Sequence, residues 1–73
     1  MVYFNAQSLV KNRNKIYGIV EELRPRIMLA SETHVTADVH VSEVDVSGYN
    51  YVGCNSDSRH TGGTGVYVHK TLK

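Results

Sequence analysis

Arg26-Ile27-Met28-Leu29-Ala30-Ser31-Glu32-Thr33-His34 is the stretch on which the reading of the fold turns. Ile27 to Ala30 form an unbroken apolar run without alternation, the pattern of a strand covered on both faces, as in a parallel sheet. The run gives way at once to Ser31-Glu32-Thr33-His34, which leaves a carboxylate just past the strand's C-terminal end.

Immediately upstream, Pro25 disfavours the helical conformation at Arg24, so a preceding helix stops there. Within Leu9 to Leu23, the apolar residues Ile16, Ile19, Val20 and Leu23 fall at i, i+3, i+4 and i+7, one face of a helix, with Lys15, Glu21 and Glu22 on the wet face. Either Ser8 or Asn12 can cap it by accepting a bond from an orphan backbone N–H, and Gly18 weakens its interior by roughly 1 kcal/mol relative to alanine. Further upstream, Val2 to Phe4 are β-branched or aromatic and run into the polar cluster Asn5-Ala6-Gln7-Ser8, a short strand with Asn5 at its tip. Strand, helix, strand with short joints is a βαβ unit with parallel strands and a right-handed crossover. Asn5 and Glu32 then leave the sheet at the same edge.

Downstream, residues 35 to 48 mix Val with Asp, His, Glu and Ser and read as a surface loop with room for one irregular strand. Tyr49 to Cys54 and Gly65 to His69 read as strands, joined through Asn55 to Gly63 as an antiparallel pair. The Gly62-Gly63-Thr64-Gly65 run lacks the GxxxxGK[ST] order and precedes a strand, so it reads as a glycine-rich hairpin connection and not as a phosphate cradle. Cys54, at a strand end, is expected to be a small buried hydrophobe. The element order is β-α-β-β-β. One helix of about four turns shields a single face of a sheet, whereas Ile27 to Ala30 ask for cover on two. Residues 1–73 therefore read as a truncated domain whose missing C-terminal half supplies the other layer.

Composition narrows the function classes. Seventy-three residues make at most one small domain, and such a chain buries only about 60% of the surface it exposes when unfolded. A net charge of +1 gives no bulk field toward DNA or membranes. The single cysteine, Cys54, leaves no internal disulfide and no CxxC pair, which fits a reducing compartment. There is neither a signal-peptide pattern nor an apolar run of about 20 residues, so a soluble protein is expected. No short basic targeting run is present, so localisation stays open. His34, His40, His60 and His69 show no HExxH or close Cys/His spacing.

The chemistry concentrates at Asn5 and Glu32. Ligands of open parallel sheets bind beyond the carboxyl ends of the strands. A carboxylate there can hold Mg2+, which takes oxygen ligands, keeps several waters and is bound through one or two carboxylates plus substrate phosphate. An adjacent amide can orient a carboxylate, a water or a phosphate oxygen. Spacing alone leaves open the plainer alternative that Glu32 is a solvated strand-end carboxylate and Asn5 an ordinary turn residue.

Three segments in order carry a family resemblance. Tyr3-Phe4-Asn5-Ala6-Gln7-Ser8-Leu9 with Asn14-Lys15, then Arg26 to Thr33, then Gly48-Tyr49 through Arg59-His60-Thr61-Gly62-Gly63-Thr64-Gly65-Val66-Tyr67-Val68 resemble the opening motifs of the endonuclease/exonuclease/phosphatase superfamily. The likeness is strongest to the endonuclease domains of non-LTR retrotransposon polyproteins, although Gln7 stands where that pattern often has Arg. The resemblance implies an α+β fold, here part of an αββα sandwich, with Glu32 as the metal-binding glutamate and Asn5 as the active-site asparagine. It implies Mg2+ as cofactor and DNA as partner in the complete domain, nuclear in a functional retroelement protein. It places Arg59 at a basic loop position that approaches DNA, and His34 where relatives carry an aromatic or basic residue near phosphate, although a solvated loop histidine is the plainer reading of His34 and the one expected. The family's later tyrosine, its Asp-x-Asn pair and its C-terminal Asp-His pair have no match within residues 1–73, so the fragment is expected to be inactive alone. Two other readings stay open: a degenerate element-derived protein without catalysis, and a fragment of a phosphatase acting on a phosphorylated lipid, sugar or nucleotide.

Overall fold

The computed structural model describes residues 1–55 and 62–71. These form strand β1 (Val2–Asn5), helix α1 (Arg13–Leu23), strand β2 (Ile27–Ser31), a single 3-10 turn (Val41–Glu43), and strands β3 (Tyr49–Cys54) and β4 (Thr64–His69). The sheet order is β1-β2-β4-β3. β1 and β2 run parallel, with Asn5 opposite Ser31, while β4 pairs antiparallel with both β2 and β3. The fold is α+β with a mixed sheet, and both the parallel βαβ pair and the antiparallel β3/β4 pair are as the sequence predicts.

Because side chains alternate across a strand, the register sorts the residues into two faces. Val2, Met28, Tyr67 and Tyr51 line up across one face, followed by the row Phe4, Ala30, Gly65 and Gly53. Met28, Ala30, Tyr49 and Tyr67 are buried there, and Val2, Phe4 and Tyr51 pack against them. Helix α1 closes part of this face with Ile16, supported by the half-buried Ile19 and Val20. The rest is closed by the segment read as a surface loop, since Val35, Val44 and Val46 are all buried. Polar backbone brought this close to a core must find partners. The Tyr67 hydroxyl donates to the Val44 carbonyl at 2.5 Å, and Arg13 Nη2 donates to the Asp45 carbonyl at 2.6 Å. No strand forms in this segment among the described residues; it is a coil around the 3-10 turn, fixed by three valines and those two bonds.

The opposite face carries Tyr3, Leu29, Val66 and Val52 in one row and Ile27 beside Val68 in the next. Its central members are only half-buried, and Tyr3 and Val52 are 69% and 70% exposed. Burial along β2 therefore alternates, despite an apolar run that asks for cover on both faces. Cys54 follows Val52 onto this face at the end of the edge strand, which is why it is exposed and not the buried hydrophobe expected.

Helix α1 begins four residues later than its earliest expected start. Leu9 is fully buried, drawing residues 9–12 inward as turns. Neither expected cap operates in the usual way. Asn12 occupies the cap position without a capping bond, and its amide instead donates backward to the Ala6 and Gln7 carbonyls, at 3.3 and 2.6 Å. The Ser8 hydroxyl accepts from the Lys11 N–H at 3.4 Å, before the helix proper. At the other end Arg24 adopts the left-handed conformation, its N–H bonds the Val20 carbonyl at 3.0 Å, and Pro25 follows as the stop signal. Leu23, expected on the buried stripe, is 61% exposed, so the stripe ends one turn earlier than its spacing predicts.

Candidate functional site

The β1/β2 ladder continues past both strands. Ala6 N–H donates to the Ser31 carbonyl at 2.9 Å, Ser8 N–H to Glu32 at 3.0 Å and Leu9 N–H to Thr33 at 2.9 Å. From the other side, Thr33 N–H donates to the Gly63 carbonyl at 3.2 Å and His34 N–H to Gly62 at 3.0 Å. The turn carrying Glu32 is thus clamped between the β1 loop and the two glycines. Gly62 and Gly63 present those carbonyls with φ of 74° and 87°, a conformation that favours glycine. The glycine run read as a plain connection is a structural clamp on this turn.

Asn5 and Glu32, 27 positions apart in sequence, meet at this edge: Asn5 Nδ2 donates to Glu32 Oε2. The amide's orientation is dictated, because its Oδ1 accepts the Gln7 backbone N–H at 3.1 Å, which turns the NH2 end toward the carboxylate. Both side chains are exposed. A third residue joins them: Lys15, read as a wet-face helical lysine, places Nζ 3.2 Å from the Asn5 carbonyl. Helical spacing gave no sign of this contact, because it depends on how α1 packs back over the end of β1. Of the five non-glycine residues with positive φ among those described, Gln7, Ser8, Glu32 and His34 lie in these two turns; the other is Arg24 at the helix end. Such left-handed residues are uncommon and cluster where a structure holds functional groups in place.

Beside this edge lies a cleft of about 480 Å³ lined by Ser8, Val10, Lys11, His34, Asp38 and Val39. It shares the two turns but includes neither Asn5 nor Glu32. His34 is half-buried at its wall, and its Nε2 is buried without a partner among the described residues, so it is not a solvated loop histidine. His40 and His69 serve their own turns, accepting the N–H groups of Ser42 and Thr71 at 3.1 and 3.2 Å. Arg59, expected at a basic loop position, and His60 lie outside the described residues.

Glu32 offers a hard oxygen ligand at an open edge, with its orientation set by Asn5. That donor set fits one vertex of a Mg2+ site. Among the described residues no group of three or more His, Cys, Asp or Glu is placed to hold a metal, so the remaining ligands of such a site would be water, substrate phosphate or other protein groups.

No family model matches this chain, and no curated protein matches it. Among solved structures, the AP endonuclease LMAP from Leishmania major is similar, with a TM-score of 0.74 and 23% identity. The likeness covers 96% of this chain and 23% of that one. That protein has the endonuclease/exonuclease/phosphatase fold. At this identity the likeness speaks for the fold: the mixed four-stranded sheet with its single helix matches a fragment of the AP endonuclease fold, as the opening motifs imply.

Proposed function

We propose that this chain contributes part of the active site of a Mg2+-dependent phosphodiesterase that cleaves DNA, of the retroelement endonuclease type, with Glu32 as a metal ligand and Asn5 as the residue that orients it. The observation that carries this reading is the Asn5 amide donating to the Glu32 carboxylate at the shared edge of the parallel pair. The likeness to an AP endonuclease supports the same chemistry, and the Asn-Ala-Gln-Ser-Leu opening favours the retroelement branch.

Bound at Glu32, the metal would neutralise charge developing on a phosphoryl oxygen. The protein groups hold the geometry for this. The Asn5 amide, locked by the Gln7 N–H, holds one carboxylate oxygen of the exposed Glu32 side chain. The Lys15 ammonium, beside the Asn5 carbonyl, adds positive charge at the edge where a phosphate would arrive. The later tyrosine, Asp-x-Asn and Asp-His elements of the family would come from a further part of the same domain. That part would also cover the apolar sheet face bearing Leu29 and Val66. The chain alone is proposed to be catalytically inactive.

The test is nicking of supercoiled plasmid, with Mg2+, by this segment joined to a domain of the length seen in its structural relative. Glu32→Gln is expected to lower the rate about a hundredfold or more, consistent with the several kcal/mol that a metal supplies to the transition state. Undiminished nicking by that variant would remove Glu32 from the metal site. Hydrolysis of a phosphorylated lipid, sugar or nucleotide with plasmid left intact would instead favour a phosphatase.

A further inference from the structure

The outward face of the sheet carries no charge. Across its middle run Tyr3, Leu29, Val66 and Val52, one from each strand, with Ile27, Val68 and Asn50 on one side of them. On the other side, at the end that bears the candidate site, stand Asn5, Ser31, Thr64 and Cys54. No Asp, Glu, Lys, Arg or His occupies an outward position of the four strands, although charged residues make up 21% of the chain. Tyr3 and Val52, at the two ends of the middle row, are largely exposed, and Leu29 and Val66 between them are half-buried.

An apolar sheet face is driven to bury itself against another layer. In a longer chain, the proposed further part of the domain supplies that layer. Among the described residues of this chain, helix α1 and the valines of residues 35–48 are spent on the inner face. The absence of charge decides what else can cover the outer one. A partner that relied on ion pairs would find nothing here to pair with, whereas a second copy of the same face meets no like charge and leaves no ion unpaired.

The rows also select an orientation. A twofold axis along the strands lays each row on its own kind, the polar row Asn5, Ser31 and Thr64 on its copy. An axis across the strands would press that polar row onto Ile27 and Val68, where its groups would lose water without gaining partners. With strands about 4.8 Å apart and rising about 3.3 Å per residue, the face measures roughly 19 by 18 Å. Counted flat on both copies that is roughly 700 Å², at the low end of interface sizes, so the pair is a weak and concentration-dependent one.

We propose that two copies of this chain stack through their outer sheet faces, β1 of one over β3 of the other and β2 over β4, with both Asn5–Glu32 edges at the same end. The contact is isologous and closes at two copies. It does not depend on what Glu32 binds.

The test is sedimentation velocity on the full chain across a dilution series, with amide exchange at Met28 confirming that each variant is folded. Wild-type chain is expected to move from monomer to dimer as concentration rises, and to stop there. Val66→Lys, which sets a charge near the centre of the face, is expected to raise the dissociation constant about tenfold or more. Should Val66→Lys fail to fold, the exposed positions carry the test. Tyr3→Lys and Val52→Glu should each weaken the dimer, and an equimolar mixture of the two should associate more tightly than either alone, because β1 of one copy lies over β3 of the other. A chain that stays monomeric at every concentration overturns the proposal. So does a dimer indifferent to all three substitutions, which would be joined through strand edges, or growth beyond two copies. Pairing of Tyr3→Lys with Tyr3→Glu in place of Val52→Glu would set β1 over β1 and overturn the stated arrangement.

Discussion

Gly18 and Gly65 look alike in the sequence and make opposite demands in the fold. Gly18 sits exposed inside α1 with nothing within 4 Å of where a Cβ would be, so it contributes only backbone freedom. Gly18→Ala is expected to stabilise the chain by about 0.5 to 1 kcal/mol. Gly65 lies under the Tyr51 ring, where an added methyl meets atoms it cannot avoid. Gly65→Ala is expected to cost about 1 to 3 kcal/mol, as overpacking of a filled site does. Urea midpoints shifting in opposite directions would bear out the pair; a neutral Gly65→Ala would show that Tyr51 moves aside freely. The first of these glycines is legible in sequence, as a weak point in a helical pattern. The second is not, because its neighbour belongs to another strand. The same division applies at the candidate site. The pattern of strand ends predicts that Asn5 and Glu32 share an edge, but the direction of the amide depends on the Gln7 N–H, and the arrival of Lys15 depends on the packing of α1.

Among the elements, α1 is legible in the sequence through its body and not at its start. The spacing of Ile16, Ile19 and Val20 marks the buried stripe, and Pro25 marks the stop. The start eludes local pattern because Leu9 is taken by the core and Asn12 by the loop behind it. Asn12 therefore acts as a brace between the β1 turn and the helix, and not as a cap. Asn12→Ala removes two side-chain bonds to backbone carbonyls and is expected to destabilise by about 1 to 2 kcal/mol. Because the braced carbonyls belong to Ala6 and Gln7, the loss should show as faster amide exchange at Ser8 and Leu9 before the body of α1 is affected. Equal acceleration along the whole helix would mean that Asn12 is a cap after all. The segment of residues 35–48 departs from the surface loop that its sequence predicts for a related reason. Val35, Val44 and Val46 are scattered among polar residues with no clean period, yet irregular backbone can still bring each of them onto a core when bonds such as that from Tyr67 to Val44 fix it.

For the molecule as a whole, the unbroken run Ile27 to Ala30 describes a sheet with two apolar faces, of which this chain buries one. Stability then leans heavily on that one face, and three of its side chains are tyrosines. The Tyr49 hydroxyl donates to the Pro25 carbonyl, tying β3 to the end of the helix connection, and the Tyr67 hydroxyl donates to Val44, tying β4 to the covering loop. Burial raises the pKa of Tyr49, Tyr51 and Tyr67 above the ordinary 10.0, and for Tyr67 the neighbouring Tyr51 adds to the rise. A phenol whose pKa is higher folded than unfolded binds its proton more tightly in the native state. Below pH 10 both states keep the proton, and this contribution is fully present. As pH rises past that value the unfolded chain ionises first, so stability falls until the pH passes the folded values. The thermal midpoint is therefore expected to show no tyrosine-linked change up to about pH 10 and to drop steeply above it, with phenolate absorbance appearing together with unfolding. Tyr67→Phe should begin from a lower midpoint, since the Val44 carbonyl loses its donor, and then decline less steeply with pH. Phenolate absorbance from Tyr49, Tyr51 and Tyr67 near pH 10, with the fold intact, would mean that these hydroxyls are open to solvent and that the single covered face is not a sealed core.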